Sequence, residues 1–388
     1  MERIYLDYNA TTPILPDVYE AMAPYLTDKW GNPSSRHWAG ENLQHDIEKA
    51  RANIAKSLNC SSEEIFFTSS GTESSNWAIK MSVLDNHNKK NKKHIITTKV
   101  EHPATLETCK FLEKFGVSVT YLNVDQYGNL NINELENAIT KDTVLISIMI
   151  ANNETGVIFP FNDISKIAEK HNILFHTDAV QAYGKTAIDL RRFKPDFLSI
   201  SGHKVYSPKG IGVLYVKKGV KIHPLLHGGG QEKGLRSSTE NVPGIIALGK
   251  SAEIIQHDIS SNCINNIEQL RDTFEDMLFE NLDNISINGN RKNRLVNTTN
   301  ICFKNIETAA LIKALSVEGI AVSAASACAA NKGSYSHVLK AMGKSKMEAL
   351  SSIRVSLGKS SNKENISIAA EKIINWVRKL RKFSPEKF

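Results

Sequence analysis

Short hydrophobic runs alternate with amphipathic segments along the first two thirds of the chain. Runs typical of buried strands lie at 64–69, 94–98, 117–122, 143–150, 173–177 and 197–201. Helical periodicity between them predicts helices at 73–84, 104–115 and 163–170. Strands separated by helices predict a mainly parallel sheet with helices on both faces. The run 211–216 follows 197–201 after a short turn, so we expect it to be antiparallel.

The pattern changes after Pro243. Long helices are predicted at 245–259 and 263–281, and an amphipathic helix at 364–381. Between them lies a compact segment with a strand at 297–303 and helices at 307–316 and 346–350. We therefore expect an α/β fold with two domains. The large domain would be residues 13–258, and a smaller α+β domain would combine residues 1–12 with 259–388.

Composition excludes several classes of protein. The chain has 388 residues with 48 basic and 41 acidic side chains, and this mild excess does not indicate a nucleic-acid partner. No apolar run approaches the roughly 20 residues that span a bilayer, and Met1–Ala10 lacks the apolar stretch of a secretion signal. We expect a cytoplasmic protein without a membrane partner. The five cysteines are widely spaced, which predicts neither disulfides nor a metal site.

A lysine lies just beyond the carboxyl end of one predicted strand. The strand at 197–201 ends in Ser201-Gly202, and His203 and Lys204 follow. In open α/β sheets, ligands bind beyond the carboxyl ends of the strands. A lysine there can condense with an aldehyde to form a Schiff base. The ordinary alternative is a solvated lysine in a turn.

A carboxylate and an amide follow another strand. Asp178 comes after the run 173–177, and Gln181 lies three residues later. A carboxylate beneath a pyridine nitrogen keeps that nitrogen protonated, which makes the ring an electron sink. An amide nearby can donate a hydrogen bond to a phenolic oxygen of the ring. Asp178 is equally suited to capping the next segment, and both roles are compatible.

Two further strand ends carry groups suited to pyridoxal phosphate. The strand at 64–69 leads into Gly71-Thr72 and a helix, where backbone amides and a hydroxyl can bind a phosphate. The strand at 94–98 leads to His102, whose imidazole can lie on a ring and move protons. Each motif alone has a capping role as its alternative. The combination predicts a pyridoxal-phosphate site that contains Lys204.

Short motifs in a characteristic order run from residue 5 to residue 358. They are Tyr5-Leu-Asp-Tyr-Asn-Ala-Thr-Thr12, Gly31-Asn-Pro-Ser-Ser35, Thr68-Ser-Ser-Gly-Thr-Glu73, Glu101-His-Pro103, Ala151-Asn-Asn-Glu-Thr-Gly156, His176-Thr-Asp-Ala-Val-Gln181, Ser201-Gly-His-Lys204, Pro208-Lys-Gly-Ile-Gly212, His227-Gly-Gly-Gly-Gln-Glu232, Ser326-Ala-Cys328 and Ile353-Arg-Val-Ser-Leu-Gly358. In these motifs the chain resembles the cysteine desulfurases of the nitrogen-fixation and iron–sulfur-cluster type. Those enzymes belong to the class V aminotransferase family, so the resemblance implies the pyridoxal-phosphate transferase fold type I.

The resemblance implies a role for each matching residue. Around the ring, Lys204 would form the Schiff base, Asp178 would pair with the pyridine nitrogen, Gln181 would contact the phenolic oxygen and His102 would stack. The implied phosphate ligands are Gly71, Thr72, Ser201, His203 and, from the partner subunit of a homodimer, Thr239. Asn153 and Arg354 would hold the substrate carboxylate, a task that suits the guanidinium fork.

Cys328 is the candidate for handling sulfur. It lies in 323–333, a segment of small and polar residues that offers few side chains for packing. A thiolate on such a segment can reach the substrate and then an acceptor. A buried, inert thiol is the alternative from the residues alone, and the resemblance favours the functional interpretation.

The predicted activity is conversion of L-cysteine to L-alanine, with a persulfide on Cys328 that supplies iron–sulfur cluster assembly or tRNA thiolation through an acceptor protein. Lys204 would abstract the α-proton, and His102 is the candidate acid/base. Alternatives are a selenocysteine lyase, another class V aminotransferase-like enzyme, or a sulfur carrier without activity. Two departures from the family pattern concern Ala325 and Ser238, which stand where glycine is common.

Overall fold

The computed structural model describes residues 3–84, 93–261, 263–324 and 335–383. A seven-stranded sheet lies at the centre of the larger part of the chain. Its strands are β2 (Ile65–Thr68), β3 (His94–Thr98), β4 (Ser118–Leu122), β5 (Thr143–Ser147), β6 (Leu174–Asp178), β7 (Phe197–Ser201) and β8 (Gly212–Val216).

The order of the strands across this sheet is β2-β8-β7-β6-β5-β3-β4. Strands β4, β3, β5, β6 and β7 pair in parallel, whereas β8 is antiparallel to both β7 and β2. Most of the strands are buried on both faces, as expected where helices cover a parallel sheet. The expectation of a mainly parallel sheet with one antiparallel member at 211–216 is confirmed.

Helices cover the sheet and continue into the second part of the chain. The helices of the described residues are α1 (Pro16–Met22), α2 (Pro24–Thr27), α3 (Leu43–Leu58), α4 (Gly71–Leu84), α5 (Pro103–Glu113), α6 (Ile132–Asn137), α7 (Phe161–His171), α8 (Val242–Ser260), α9 (Cys263–Asn281), α10 (Thr308–Val317), α11 (His337–Ala341), α12 (Lys346–Leu350) and α13 (Lys363–Phe383). None that the structure describes is long and apolar enough to cross a membrane.

A second, smaller sheet follows α9. It contains β9 (Ile285–Ile287), β10 (Thr298–Phe303), β12 (Ser323–Ala324) and β13 (Ser352–Ser356) in the order β12-β13-β10-β9, with antiparallel pairing. The N-terminal strand β1 (Ile4–Tyr5) pairs in parallel with β11 (Ile320–Ala321). The start of the chain therefore lies beside its last third.

Two large apolar clusters fill the interior. One fills the larger part and includes Phe175 and Ile200. The other packs α9, α10 and α13 around the small sheet and includes Ile4 and Phe303. Leu295, which comes after residue 258, packs in the first cluster. The division into residues 13–258 and the remainder stays a prediction.

Candidate active site

The carboxyl ends of two adjacent parallel strands bring the main candidates together. β6 ends at Asp178, which pairs with Ser199 of β7. β7 ends at Ser201, and a short helical turn of Gly202–Lys204 follows it. Asp178 and Lys204 therefore lie at the same edge of the sheet, where such folds bind ligands.

Lys204 points into the protein rather than into bulk solvent. Its Nζ donates hydrogen bonds to the carbonyl oxygens of Asn9 and Ala10, each at 2.7 Å. Both carbonyls belong to the N-terminal segment, which is held beside Lys204 because the Thr12 amide donates to the carbonyl of His203 at 2.9 Å. The site thus requires the first residues of the chain.

Asp178 is buried at the end of β6. Its Oδ1 accepts a hydrogen bond from the amide of Val180 at 2.8 Å, which is the capping role considered above. Burial raises the pKa of Asp178 to about 6, although this hydrogen bond and the charge of Lys204 oppose the shift. A protonated pyridine nitrogen would stabilise the ionised carboxylate, so the residue fits the ring of pyridoxal phosphate.

His102 combines a capping role with a defined tautomer. It is the N-cap of α5, and its Nδ1 accepts a hydrogen bond from the amide of Ala104 at 3.1 Å. An accepting Nδ1 leaves the proton of the neutral ring on Nε2. The side chain is exposed, yet the surrounding protein and the charge of Lys204 lower the pKa of His102 below its usual value. A neutral ring suits both stacking and proton transfer.

The start of α4 forms a phosphate-sized cradle beside β7. A Cβ on Gly71 would lie 2.6 Å from Cγ2 of Val180 and 3.3 Å from Cβ of Ser201, so only glycine fits between them. The first N–H groups of a helix lack partners within it and favour an anion. Ser201 lies beside Gly71, and the His203 ring is fixed by its contact with the Thr11 hydroxyl, at 3.1 Å. This arrangement fits the phosphate of the cofactor.

Thr239 lies in an exposed loop. The loop is tied to α4 by Arg236, whose Nε and Nη2 donate to the two carboxylate oxygens of Glu73 at 2.8 and 3.1 Å. The neighbouring Ser238 has a φ of +156°, a backbone conformation that favours glycine. The exposure of Thr239 suits a residue that would contact another subunit.

Arg354 lies on β13 with a buried guanidinium. Its Nη2 donates to Oδ1 of Asp7 at 2.7 Å, and its Nη1 donates to the carbonyl of Asn153 at 3.0 Å. Nε of Arg354 is buried and has no hydrogen-bond partner among the described residues. Asp7 and Asn153 thus fix the orientation of the guanidinium, which leaves one further N–H on each Nη atom.

Two residues of this network are absent from the sequence predictions. Asn9 accepts from Lys204 through its carbonyl, and its Oδ1 accepts from Nζ of Lys185 at 3.1 Å. Nζ of Lys185 also donates to Oε1 of Gln181 at 2.7 Å, and Nε2 of Gln181 donates to the carbonyl of Asn9 at 3.0 Å. Asn9 lies within the first motif, and Lys185 follows Gln181 by four residues, but neither spacing indicates this contact.

A buried carboxyl next to His102 is also missing from the sequence predictions. Glu101 accepts hydrogen bonds from the Thr98 hydroxyl at 2.8 Å and from the amide of Met149 at 3.2 and 3.1 Å. Burial raises the pKa of Glu101 to about 8. The side chain therefore links the turn that carries His102 to Met149, two residues after the end of strand β5.

Cys328 lies outside the described residues. On one side of its segment, Ser323 pairs with Arg354 across β12 and β13. On the other side, Nε2 of His337 contacts the carbonyl of Glu101 at 3.0 Å. Both flanks of the segment are thus anchored to residues of the candidate site.

The family model for aminotransferase class-V matches residues 4–368. The chain is 46% identical to the cysteine desulfurase IscS of Dictyoglomus turgidum, over 99% of this chain and 97% of that protein. Among solved structures, a NifS-like protein has a TM-score of 0.91 and 40% identity, covering 98% of this chain and all of that one. SspA in complex with cysteine has a TM-score of 0.80 and 39% identity, over 91% of this chain and 98% of that one.

Proposed function

The chain belongs to the aminotransferase class-V family, and we propose that it is a pyridoxal-phosphate-dependent cysteine desulfurase that converts L-cysteine to L-alanine. The observation that carries this proposal is that Lys204 and Gln181 both donate to the carbonyl of Asn9, while Asp178 lies at the end of the neighbouring strand. Arg354 is linked to Asn9 through the carbonyl of Asn153. This arrangement offers an amine, a ring site and a carboxylate site in one network. The relatives that are named cysteine desulfurases are similar to this chain over almost its whole length.

Bound pyridoxal phosphate supplies an aldehyde and a ring that accepts electrons. Asp178 would hold the pyridine nitrogen, Gln181 the phenolic oxygen and His102 the face of the ring. The phosphate would bind to Gly71 and Thr72 at the start of α4 and to the side chains of Ser201 and His203. Thr239 would complete the phosphate site from the partner subunit of a homodimer.

The substrate is oriented by its carboxylate. Arg354 would donate from its Nη atoms, each of which has a second N–H besides the one given to Asn153 or Asp7, and Asn153 would donate from its amide. Asp7 and the carbonyl of Asn153 hold the guanidinium in place before the substrate arrives. Preorganised donors of this kind bind without a cost for their own reorientation.

Lys204 takes the proton from Cα of the bound cysteine at its Nζ. The neutral His102, with its proton on Nε2 and its Nδ1 occupied by the amide of Ala104, would donate a hydrogen bond towards the substrate sulfur, and it stays the candidate acid/base of the site. Lys204 and His102 are therefore the two candidate residues for proton transfer in the site.

Cys328 receives the sulfur. As its thiolate forms a bond to the substrate sulfur, the Cβ–S bond of the substrate breaks, and the electron pair of that bond stays with the carbon framework. The carbon framework takes up one proton at Cβ, regains one at Cα from Lys204 and leaves as alanine, while Cys328 keeps a persulfide. An acceptor protein then takes the outer sulfur for iron–sulfur cluster assembly or tRNA thiolation.

Sulfide and alanine release from L-cysteine, measured with a thiol reductant, tests the proposal. We expect equal amounts from the wild type and a loss of at least 100-fold in Cys328→Ala, because removing a nucleophile leaves only background catalysis. Cys60→Ala is the matched control, since burial beside Glu64 raises the pKa of the Cys60 thiol to about 12. Full sulfide release from Cys328→Ala, or none from a cofactor-loaded wild type, would overturn the proposal.

A further inference from the structure

A second lysine lies inside the candidate site. Lys185 follows Gly184 in the turn after Gln181, and its Nζ donates to Oε1 of Gln181 at 2.7 Å and to Oδ1 of Asn9 at 3.1 Å. Both acceptors are neutral amide oxygens. The role assigned above to Gln181 depends on its amide group, so a direct contact with that group has consequences for the cofactor.

The contact with Lys185 fixes which way the Gln181 amide faces. Because Oε1 accepts from Lys185, the NH₂ group lies on the opposite side and donates to the carbonyl of Asn9 at 3.0 Å. The same carbonyl accepts from Nζ of Lys204 at 2.7 Å. A flipped amide would set its oxygen against the Asn9 carbonyl, so the hydrogen bond to Asn9 would be lost and two acceptors would face each other. The NH₂ of Gln181 therefore faces the side of Lys204.

The surroundings of Lys185 disfavour its charged form. Part of its side chain lines a cavity of about 350 Å³ between the two parts of the chain, whose walls include Ile255 and Leu270. Enclosure by the protein and the charges of Lys204 and Arg354 lower the pKa of Lys185 well below its usual value. The amine donates hydrogen bonds in either protonation state, so its contacts with Gln181 and Asn9 do not depend on its charge.

We propose that Lys185 is a positioning residue that holds the Gln181 amide so that its NH₂ group donates to the phenolic oxygen of bound pyridoxal phosphate. The inference rests on the proposed function and deepens it. Lys185 acts through Gln181 and not through its own charge. It also ties Gln181 to the side chain of Asn9, whose Nδ2 donates to the carbonyl of Asn153 on the substrate side at 3.3 Å.

Two nearly isosteric variants separate hydrogen bonding from charge. Lys185→Met removes every donor, whereas Lys185→Gln keeps an N–H donor, and both remove the amine. A hydrogen bond donated to the phenolic oxygen stabilises its negative charge, so losing that bond raises the pH midpoint of the visible band. We expect a rise of about 0.5 to 1 pH unit in Lys185→Met, the size of one hydrogen bond, and no rise in Lys185→Gln.

The measurement is a pH titration of the visible absorption band of each purified holoenzyme. Lys99→Met is the control, because Nζ of Lys99 also donates to an amide oxygen, that of Asn123, at 2.8 Å on the exposed surface. In a Gln181→Leu background, Lys185→Met should cause no further shift, since coupled residues are not additive.

Three outcomes would overturn the inference. They are an equal shift in Lys185→Met and Lys185→Gln, a shift by Lys185→Met that persists in the Gln181→Leu background, and no shift in Lys185→Met. The first two would mean that the amine acts on the cofactor by charge. Failure of the proposed function is a separate result, because a wild type without a visible band or without sulfide release would show it directly.

Discussion

At the scale of single residues, the site depends on buried carboxyl groups that are not paired with cations. Glu101 is fully enclosed, and its hydrogen bonds come from a hydroxyl and a backbone amide. Ionising such a group in the folded protein costs free energy. In the folded protein the hydrogen bonds of Glu101 hold the turn that carries His102.

This burial predicts a pH-dependent stability. The pKa of Glu101 is about 8 in the folded protein and about 4.3 in an unfolded chain, so the folded state binds the proton more tightly. Stability is therefore highest below pH 4 to 5 with respect to this group, and it falls as the pH rises towards 8. We expect Glu101→Gln to reduce this fall by a few kcal/mol, measured by urea unfolding of the cofactor-free protein at pH 5.5 and 8.5.

The exposed Glu113→Gln is the control for this measurement and should leave the pH dependence unchanged. An identical fall in stability for the wild type and Glu101→Gln would mean that the carboxyl titrates normally in the folded protein.

Single residues also mark the limit of what the sequence could predict. Lys204, Asp178 and His102 follow predicted strands directly, so their common edge could be inferred from the order of elements. Lys185 and Asn9 could not be found in this way, because Gln181 contacts Asn9 across 172 positions of the chain. A hydrogen bond between such distant residues leaves no local pattern.

At the scale of elements, β3 and β7 were predicted with the bounds that the structure gives, because each is a short apolar run between polar residues. Helix α3 is missing from the sequence predictions. Its core-facing side includes Arg51, which is buried, so its apolar stripe is interrupted. The interruption has a tertiary cause, since Arg51 pairs with Glu232 far along the chain.

The pair between Arg51 and Glu232 holds the loop that carries Thr239. Nη1 and Nη2 of Arg51 donate to the carboxylate of Glu232 at 2.8 Å each, and the amide of Phe67 donates to it at 2.8 Å. Glu232 has a φ of +48°, so this pairing keeps a left-handed residue in place. The loop is thus anchored to α3 and β2 by a single side chain.

Removing one partner of this pair should be costly. We expect Glu232→Leu to lower the free energy of unfolding by about 3 kcal/mol, the lower end of the range for a broken buried pair. The change leaves Nη1 and Nη2 of the buried guanidinium without their carboxylate, while the more exposed Glu48 still accepts from Nε at 3.1 Å. The double variant Arg51→Met/Glu232→Leu should recover most of that loss. Urea unfolding measures both, with the exposed pair Lys110–Glu107 as a control that should change by less than about 1 kcal/mol. A single variant as stable as the wild type would contradict this account.

At the scale of the whole molecule, the class V family, the transferase fold and the desulfurase activity were inferred from motifs spread over nearly the entire chain. The comparisons confirm the family and the fold, and the names of the relatives agree with the activity. The roles of individual site residues stay predictions. The homodimer with sites shared between subunits also stays a prediction, and dimers of two different variants can test it.

Mixed dimers can decide whether Thr239 acts across subunits. If one site combines Lys204 of one chain with Thr239 of the other, a hybrid of Lys204→Ala and Thr239→Ala chains contains one intact site. In a random mixture about half of the dimers are hybrids, and one of the two sites in each hybrid is intact. We therefore expect up to a quarter of all sites in a refolded mixture to bind the cofactor with wild-type affinity. Equilibrium titration with pyridoxal phosphate measures this fraction. A mixture that behaves as the sum of its parents would exclude a shared site.

The N-terminal segment has a consequence for how the molecule is made. Asp7 contacts Arg354 across 347 positions, and Ile4 pairs with Ile320. At a synthesis rate of about 5 to 20 residues per second, the first strand waits roughly 16 to 63 s for its partner strand to be synthesised. During that interval the apolar Ile4 and Leu6 have no native surface to cover them. The newborn chain therefore completes its candidate active site, which includes Arg354, only near the end of translation. A chaperone that binds nascent chains would have its target at the N-terminal segment.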